Sequence, residues 1–427
     1  MSRRIYASNT PFLNQLISAR LLFFLSAVSF FISVIWILSV ENEDRVVLEA
    51  IENVGKDIQY INVYRKPHKL PKDFKYILLW TPRVYSPFYF FGVGQQAFIQ
   101  NNCPVVNCYM TSNRNLFGGN LTRFDAVAFN GRNMVKLSRS GLPRERSSRQ
   151  KYIFFNLESA DNYPVCSEKY EGYFNWTSTY RLDSDIPYPY ILIRDRNGAV
   201  VGPKRNIEWI EDNSELNLKY FSRIQNKTKA VAWFVSNCAD RSGRRDFVWF
   251  LSSALSNYKL TIDVYGKCGN HKCSLDKKAE CDKIIERDYY FYLAMENSFA
   301  DDYVTEKVLT AMQHYVVPIV YGSANYSRFL PPGSYIDARG QSIPSLAATI
   351  ASLISSPKLY SKYFRWKQHY TYHDPTASEN VCAICAALHN KTLMETPSVY
   401  KNFRAWWNPK HRDRCWWVDG DDEMDGL

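Results

Sequence analysis

The 427-residue sequence lacks the features that mark the common nucleic-acid-binding and repeat proteins. It contains no internal repeat, no low-complexity tract, no zinc-finger spacing, no RNP-like string and no Lys/Arg-rich stripe with interleaved aromatic residues. Its 53 Lys and Arg against 42 Asp and Glu give a formal charge of +11, which suits an anionic substrate. The length exceeds what one hydrophobic core usually serves, so we expect two domains and no nucleic-acid partner.

A second Cys-x-x-Cys motif is also absent, which weighs against a zinc site at Cys382 and Cys385. The ten cysteines all follow the first forty residues, and an even number favours structural disulfides in an oxidising compartment. Three lie in the first half of the chain, four in the second half and three in the tail. In that order they are Cys103, Cys108 and Cys166; Cys238, Cys268, Cys273 and Cys281; and Cys382, Cys385 and Cys415. If every cysteine is paired, the simplest arrangement joins the three tail cysteines to the three of the first group and pairs the middle four among themselves. The individual partners stay open.

Charged residues are missing from one long run, Leu21–Val40, which is long enough to span a bilayer as a helix. Arginines precede the run and acidic residues follow it, so the positive-inside rule places the N-terminus in the cytosol. We therefore expect a cytosolic tail at 1–20, a transmembrane signal anchor at 21–40 and a stem at 41–72. A cleaved signal peptide is the alternative, although the apolar run is longer than a usual signal core.

A luminal body of this kind should carry N-glycosylation sequons, and the sequence contains five Asn-x-Ser/Thr motifs. Their acceptor residues are Asn120, Asn175, Asn226, Asn325 and Asn390.

The stretch Tyr290–Gly322 predicts a strand, a helix and a second strand. Tyr290–Met295 and Val316–Tyr321 are apolar runs typical of buried strands, and Thr305–His314 places its apolar residues on one helical face. This order predicts a βαβ unit, hence a parallel sheet covered by helices. Ligands bind beyond the carboxyl ends of strands in such sheets.

Polar residues cluster at that position in the βαβ unit, where the helix begins. Lys307 would provide a full charge for a phosphate beside the free N–H groups of the helix start. Glu306 would repel a phosphate and better suits sugar hydroxyls, and Asn297 and Tyr303 lie in the same segment. An ordinary capped helix with a solvated lysine is the plain alternative.

Further apolar runs predict strands on both sides of this unit. They lie at 76–80, 125–129, 152–155, 230–235 and 260–265, with a helix at 246–255. We expect one α/β domain at 73–220, a second at 225–375 and a C-terminal tail at 376–427. Two such domains would form a cleft, where substrates commonly bind.

Glu158 follows the predicted strand at 152–155 and is the candidate catalytic base. A carboxylate at a cleft can remove a proton from an attacking hydroxyl, especially where burial raises its pKa. A loop glutamate that caps the following turn is the alternative.

The segment Phe174–Tyr190 contains Tyr180 and Arg181 as candidates for the acceptor side of the cleft. It also contains Asp183-Ser184-Asp185, which resembles the Asp-x-Asp metal site of GT-A transferases. We favour a structural hydrogen-bonding role for these two aspartates, and a surface salt bridge is an equally plain reading of Arg181.

Arg244 is the second candidate phosphate-binding residue. It begins the predicted helix after the strand at 230–235, which ends at Ser236 and Asn237, and a guanidinium binds phosphate oxygens bidentately. A solvated helix-start arginine is the alternative, and that reading better suits Arg241 and Arg245.

Three strings together resemble the α1,3-fucosyltransferases, which are inverting enzymes that use GDP-fucose. ENS, YVTEK and VVPIVYG look like the family's donor-binding motif, and RQKYIFFNLES resembles its acceptor-side segment with the proposed base. FNWTSTYRLDSDIPYPY matches the next family string, and the resemblance covers roughly residues 75–390. The family usually has proline after the serine of the acceptor-side segment, where this chain has Ala160.

The resemblance implies a GT-B-like α/β body of two Rossmann-like domains facing a cleft, preceded by a single transmembrane helix in a type II Golgi membrane protein. It implies transfer of L-fucose from GDP-fucose to the 3-OH of a GlcNAc in a glycan, without a metal cofactor. Glu158 would be the base, and Arg244 and Lys307 would stabilise the departing diphosphate. Donor binding would fall to Ser236, Asn237, Arg244, Asn297, Tyr303, Glu306 and Lys307.

The resemblance also implies that the tail Cys-x-x-Cys bonds back to the first domain, as Cys103–Cys382 and Cys108–Cys385, which leaves Cys166 for Cys415. The remaining expected pairs are Cys238–Cys268 and Cys273–Cys281. Two other classes of function stay open. One is a metal-dependent GT-A transferase, and the other is a non-catalytic carbohydrate-binding membrane protein.

Overall fold

A computed structural model describes residues 26, 28–31, 73–134, 137–273, 278–375 and 377–415. The expected cytosolic tail, membrane anchor and stem at 1–72 lie almost wholly outside the described residues. Among the residues that are described, no helix is both long and apolar enough to cross a membrane. The described chain from Asp73 onward belongs to one compact unit.

Thirteen strands are present in this unit, within the described residues. In chain order they are β1 Lys75–Leu79, β2 Cys108–Thr111, β3 Ala126–Asn130, β4 Lys151–Asn156, β5 Trp176–Thr179, β6 Leu192–Asp195, β7 Val200–Gly202, β8 Lys229–Phe234, β9 Ile262–Tyr265, β10 Tyr289–Met295, β11 Val317–Tyr321, β12 Ile336–Asp337 and β13 Tyr370–His373.

The helices of the same residues are numbered separately. They are α1 Gln96–Ile99, α2 Gly131–Met134, α3 Leu218–Ile224, α4 Arg244–Ser256, α5 Lys278–Asp288, α6 Glu306–Gln313, α7 Ile343–Ser355, α8 Pro357–Lys362, α9 Ala377–His389, α10 Lys391–Glu395, α11 Phe403–Trp407 and α12 His411–Arg414.

Two five-stranded parallel sheets form the framework. The first has the order β2-β1-β3-β4-β5, and the second has the order β12-β11-β10-β8-β9. Their central strands are buried along almost their whole length, as β4 and β10 show, because helices and loops cover both faces. The α/β class with parallel sheets is therefore as expected from the sequence.

A third, antiparallel sheet has the order β13-β6-β7. Its first two strands follow the first parallel sheet in the chain, whereas β13 follows the second. Tyr370 and Tyr372 of β13 are buried with Ile191 and Ile193 in the same apolar cluster as α6 and β10. This small sheet therefore ties the chain after β5 to the second half of the protein.

The C-terminal segment covers both faces of the first sheet. Val381 and Ile384 of α9 pack on one face, together with Phe88 and Phe98. Phe403 and Trp407 of α11 pack on the other face against Phe154 and its neighbours. The tail is thus part of the core around the first sheet.

All ten cysteines are paired in the structure. The disulfides are Cys103–Cys382, Cys108–Cys385, Cys166–Cys415, Cys238–Cys268 and Cys273–Cys281. These are the same pairs as in the expectation drawn from the sequence and the family resemblance. Cys382 and Cys385 are each bonded to the first sheet region, so neither is available to a metal.

Candidate active site

The carboxyl ends of β4 and β10 meet at one site. Glu158 follows β4 by two residues, and its Oε2 accepts a 3.5 Å hydrogen bond from the Tyr303 hydroxyl, which comes from the loop before α6. In the next positions, the buried hydroxyls of Ser159 and Ser298 are hydrogen bonded to each other. The structure thus brings the predicted base and the predicted donor segment into contact, although 145 residues separate Glu158 from Tyr303.

The turn that presents Glu158 is built from local hydrogen bonds. The backbone N–H of Glu158 donates to Asn156 Oδ1 at 2.9 Å, and its side chain is half-buried. Tyr190 donates its hydroxyl to the carbonyl of Leu157. Burial, together with neighbouring tyrosine and glutamate side chains, raises the pKa of Tyr190 and of Tyr303 well above the usual value. Both phenols therefore remain protonated donors around the carboxylate.

Tyr180 supports the same turn from below. Its hydroxyl accepts the backbone N–H of Ala160 at 2.9 Å, and its ring lies edge-on to Tyr303 with centroids 4.9 Å apart. Tyr180 is 1% exposed, so it holds the loop that carries Glu158 and does not line an open surface. The bond to Tyr180 requires an N–H at position 160, which alanine has and proline lacks.

At the start of α6, a buried carboxylate that the sequence analysis missed organises the predicted donor residues. Glu296 directly follows β10 and is fully buried, and its Oε1 accepts the N–H and the hydroxyl of Thr305 at 2.9 Å each. Its Oε2 lies 3.0 Å from Lys307 Nζ. Glu296 was visible in the ENS string, as the first charged residue after a buried strand.

The charged groups at this helix start shift one another's pKa values. Burial raises the pKa of Glu296. Burial alone would lower the pKa of Lys307, but the carboxylates of Glu296 and Glu306 outweigh it and raise that pKa. Lys307 is therefore a firmly charged cation, held in place before any ligand arrives.

Arg244 lies deeper than the sequence suggested. Its side chain is 3% exposed, and its guanidinium donates to the carbonyls of Met295 at 2.8 Å and Asn237 at 3.0 Å. Asp240 Oδ2 lies 3.5 Å from its Nε. Arg244 thus joins the ends of β8 and β10, the two strands beneath the candidate donor site.

The other predicted donor residues surround this point. The side chains of Ser236 and Asn237 are exposed at the end of β8, and Asn297 is half-buried after β10. The carbonyl of Asn297 accepts the backbone N–H groups of Arg241 at 2.9 Å and Ser242 at 3.2 Å. The loops after β8 and β10 are therefore bonded to each other through their backbones.

Arg181 and the two nearby aspartates are engaged with other protein groups. Arg181 donates two 2.9 Å hydrogen bonds to Asp183 in a bidentate pair and is 7% exposed. Asp185 Oδ2 accepts the N–H of Thr177 at 2.9 Å and the hydroxyl of Tyr400 at 2.8 Å. Arg181 does form a salt bridge, but a buried one, unlike the surface pair considered from the sequence. The hydrogen bonds of Asp185 agree with the structural role expected for the two aspartates.

Other potential ligand groups are equally occupied. In the described part of the chain, the one cluster of three metal-ligating side chains is Cys108, Cys385 and His389. Its two cysteines form a disulfide, so their sulfurs are not thiolate ligands.

The five sequons differ in how their asparagines are placed. Asn120, Asn226, Asn325 and Asn390 are exposed. Asn175 is half-buried, accepts the N–H of Tyr152 at 2.9 Å and donates to the carbonyl of Ser398 at 2.8 Å. The amide of Asn175 is therefore used within the fold, at the nitrogen that a glycan would modify.

The ends of strands from two parallel sheets bring a carboxylate close to the start of a helix. Such an arrangement suits an enzyme that transfers a group between two substrates. Comparisons with known proteins identify its class. Residues 72–191 match the family model described as "Fucosyltransferase, N-terminal", and residues 224–406 match "Glycosyltransferase family 10 (fucosyltransferase) C-term".

Two curated relatives come from Drosophila melanogaster. The chain is 36% identical over 350 residues to Alpha-(1,3)-fucosyltransferase C, covering 78% of this chain and 77% of that protein. It is 33% identical over 318 residues to Glycoprotein 3-alpha-L-fucosyltransferase A, covering 74% of this chain and 57% of that protein. A crystal structure of an alpha1,3-fucosyltransferase with GDP-fucose is similar over 79% of this chain and 95% of its own, at 15% identity and a TM-score of 0.44.

The chain therefore belongs to the glycosyltransferase family 10 fucosyltransferases, and it is a glycosyltransferase.

Proposed function

We propose that this enzyme transfers L-fucose from GDP-β-L-fucose to the 3-OH of a GlcNAc residue in an N-glycan or a related glycoconjugate, with inversion at the fucose anomeric carbon. The observation that carries the proposal is the contact between Glu158 and Tyr303. Glu158 is the one carboxylate of the acceptor-side motif and is half-buried, and Tyr303 belongs to the donor motif, so the contact joins the two motifs.

The donor would bind over the start of α6. Lys307 and the free N–H groups of the helix start face the diphosphate of GDP, and both favour negative charge. Glu306 is exposed at the same turn and accepts hydrogen bonds from fucose hydroxyls. Ser236, Asn237 and Asn297 contribute polar groups from the neighbouring strand ends, and Arg244 holds those ends together.

The reaction is a single displacement. Glu158 removes the proton of the GlcNAc 3-OH as that oxygen bonds to C1 of fucose. The bond between C1 and the phosphate oxygen breaks, and its electron pair leaves with GDP. Lys307 and the helix start stabilise the negative charge that develops on the diphosphate, so catalysis is electrostatic and positional, without a covalent intermediate.

The proposed reaction needs no metal ion. Asp183 is held by Arg181, and Asp185 is held by Thr177 and Tyr400, so the Asp-x-Asp pair is already engaged within the protein. The enzyme is proposed to act in the Golgi lumen as a single-pass type II membrane protein, as the N-terminal apolar run and the family suggest.

Incubation of the purified protein with GDP-β-L-fucose and a panel of N-glycans tests the proposal. The expected product carries an α-linked fucose on O3 of GlcNAc, identified by NMR from its anomeric coupling and linkage. Retention of the β configuration would overturn the inverting mechanism. Loss of activity in EDTA with rescue by manganese would favour the GT-A alternative, and binding without turnover would favour a carbohydrate-binding protein.

A further inference from the structure

The segment Phe403–Cys415 lies against the strand that leads to Glu158. Phe403 and Trp407 are fully buried, with ring centroids 4.8 and 5.0 Å from Phe154 of β4. Trp407 also contacts Tyr180 at 5.7 Å between ring centroids. These aromatic contacts fix the segment directly beneath the turn at the end of β4.

The same segment binds the backbone of the loop that carries Glu158. Between β4 and Cys166 the loop has no strand or helix. The carbonyl of Ser159 accepts the N–H groups of Asn162 and Tyr163 within the loop, whereas other carbonyls need partners from elsewhere. Three of these carbonyls accept hydrogen bonds from side chains of the segment. The pairs are Ala160 with Asn408 at 3.1 Å, Tyr163 with Trp407 at 2.9 Å and Cys166 with Arg404 at 3.0 Å.

Two stronger links reinforce this attachment. Cys166 is disulfide bonded to Cys415, and Asp161 forms an ion pair with Arg414. The loop is therefore held at several points by residues more than two hundred positions later in the chain.

Asn408 makes the link nearest to Glu158. It is 6% exposed, and it donates through Nδ2 to the carbonyl of Ala160, two residues after Glu158. The N–H of Ala160 is bound by Tyr180, so both polar groups of this residue's backbone are fixed. Removal of the Asn408 amide would leave a buried carbonyl without this partner and would remove one of the bonds that orient the turn.

We propose that Asn408 is a positioning residue for catalysis, which sets the orientation of Glu158 through the carbonyl of Ala160. The inference rests on the proposed function, because it assumes that Glu158 is the base. Small displacements of a catalytic group reduce the rate strongly. The hydrogen bonds of the Asn408 side chain go to Ala160 and Lys410, which lie outside the donor segment, so donor binding is expected to be unaffected.

Asn408→Asp and Asn408→Ala test the proposal in the full-length enzyme. Asp keeps the side-chain oxygen that accepts the N–H of Lys410 at 3.0 Å, but like Ala it cannot offer the amide donor. Both variants are expected to lower kcat by about tenfold or more. The GDP affinity from calorimetry and the KM for GDP-fucose should stay within about twofold of the parent values, since misplacement of the base lowers kcat without removing a donor contact.

Asn402→Ala is the matched control, because Asn402 is an exposed asparagine at the start of the same helix α11. It should leave kcat unchanged. A parental kcat in folded Asn408→Ala would overturn the inference, and so would a fall in GDP affinity as large as the fall in kcat, since that result indicates general disruption.

A double-mutant cycle separates this inference from the proposed function. If Asn408 acts through Glu158, then Asn408→Ala should have little further effect on kcat in a Glu158→Gln background. An undiminished loss in that background would overturn the positioning role while leaving Glu158 as the base. Full activity of Glu158→Gln by itself would instead overturn the proposed function.

Discussion

The ammonium of Lys307 lies 3.0 Å from Oε2 of Glu296, a carboxylate that is fully buried at the end of β10. The other oxygen of Glu296 accepts hydrogen bonds from Thr305, the residue that precedes α6. One carboxylate therefore fixes both the helix start and the cation expected to face the diphosphate. This arrangement preorganises the charge of Lys307, which is the form in which electrostatic catalysis is most effective.

Glu296→Gln should lower the free energy of unfolding by about 3 kcal/mol, because it breaks a buried ion pair and leaves Lys307 without its main partner. Urea unfolding followed by tryptophan fluorescence measures the change. Glu306→Gln is the control: its carboxylate is exposed and should contribute less than about 1 kcal/mol. Equal stability of the Glu296→Gln variant and the parent would show that the pair is not important for the fold.

Glu158→Gln should keep the fold and the GDP affinity but lower turnover by a factor of about 100 or more, the usual effect of a lost general base. Steady-state kinetics with GDP-fucose and a glycan acceptor measures turnover, and calorimetry measures GDP binding. Glu145→Gln removes an exposed carboxylate outside the site and should be neutral. Near-normal turnover of a folded Glu158→Gln variant would remove Glu158 from the mechanism.

Arg244→Ala should lower stability as well as GDP binding, because Arg244 is the donor to two strand-end carbonyls. We expect a loss of about 2–3 kcal/mol in the free energy of unfolding. Arg245→Ala should have a much smaller effect, since Arg245 is exposed and donates to a single carbonyl, that of Cys238. Weaker GDP binding at unchanged stability would instead identify Arg244 as a direct phosphate ligand.

Tyr180→Phe should cost about 1–2 kcal/mol of stability, because it leaves the buried N–H of Ala160 without an acceptor. In an Ala160→Pro background that N–H is already gone, so the same substitution should cost clearly less. Thermal unfolding of the parent, both single variants and the double variant measures this coupling. Additive effects would show that the hydrogen bond does not contribute.

The raised pKa of His314 predicts that the protein becomes less stable as the pH rises. Burial would lower its pKa, but hydrogen bonds to Asp282 and Glu286 outweigh burial and raise the pKa from 6.5 to about 9. The stabilisation that comes from protonated His314 is fully present below about pH 6.5 and is lost as the pH rises to about 9. We expect a loss of about 2–3 kcal/mol across this window.

The His314→Gln variant checks this pH dependence through urea unfolding at pH 6 and pH 9. It should show a smaller difference between the two pH values than the parent. His411→Gln serves as the control on a different helix and should retain the parental difference. An identical pH dependence in His314→Gln and the parent would contradict the assignment.

Much of the second sheet could be predicted from local sequence. The expected strands at Tyr290–Met295 and Val316–Tyr321 differ from β10 and β11 by one residue at their starts. Buried parallel strands are apolar on both faces, so they stand out as continuous runs. The strand Trp176–Thr179 was not predicted, because its residues Thr177, Ser178 and Thr179 are polar although all three are fully buried. Thr177 and Thr179 are hydrogen bonded to Asp185 and Ser184, which lie outside the strand.

The sequence could predict which residues lie at the candidate site, but it could not predict what each of them does there. The sequence places Glu158 and Lys307 at strand and helix ends, where ligand groups belong. It does not show that Arg181 binds Asp183, that Arg244 is buried beneath the strands, or that Glu296 forms an ion pair with Lys307. Those roles depend on which side chains the fold brings together, and a spacing along the chain does not contain that information.

The long disulfides set an order on how the chain matures during synthesis. Cys103 and Cys108 form disulfides with cysteines 279 and 277 residues later in the chain, and Cys166 forms one with a cysteine 249 residues later. Cys103, Cys108 and Cys166 cannot form these disulfides until synthesis has passed residues 382, 385 and 415, respectively. The loop with Glu158 is secured by Cys415, the last residue that the structure describes, so a chain terminated before Cys415 would keep its donor motif while this loop lacked its covalent attachment.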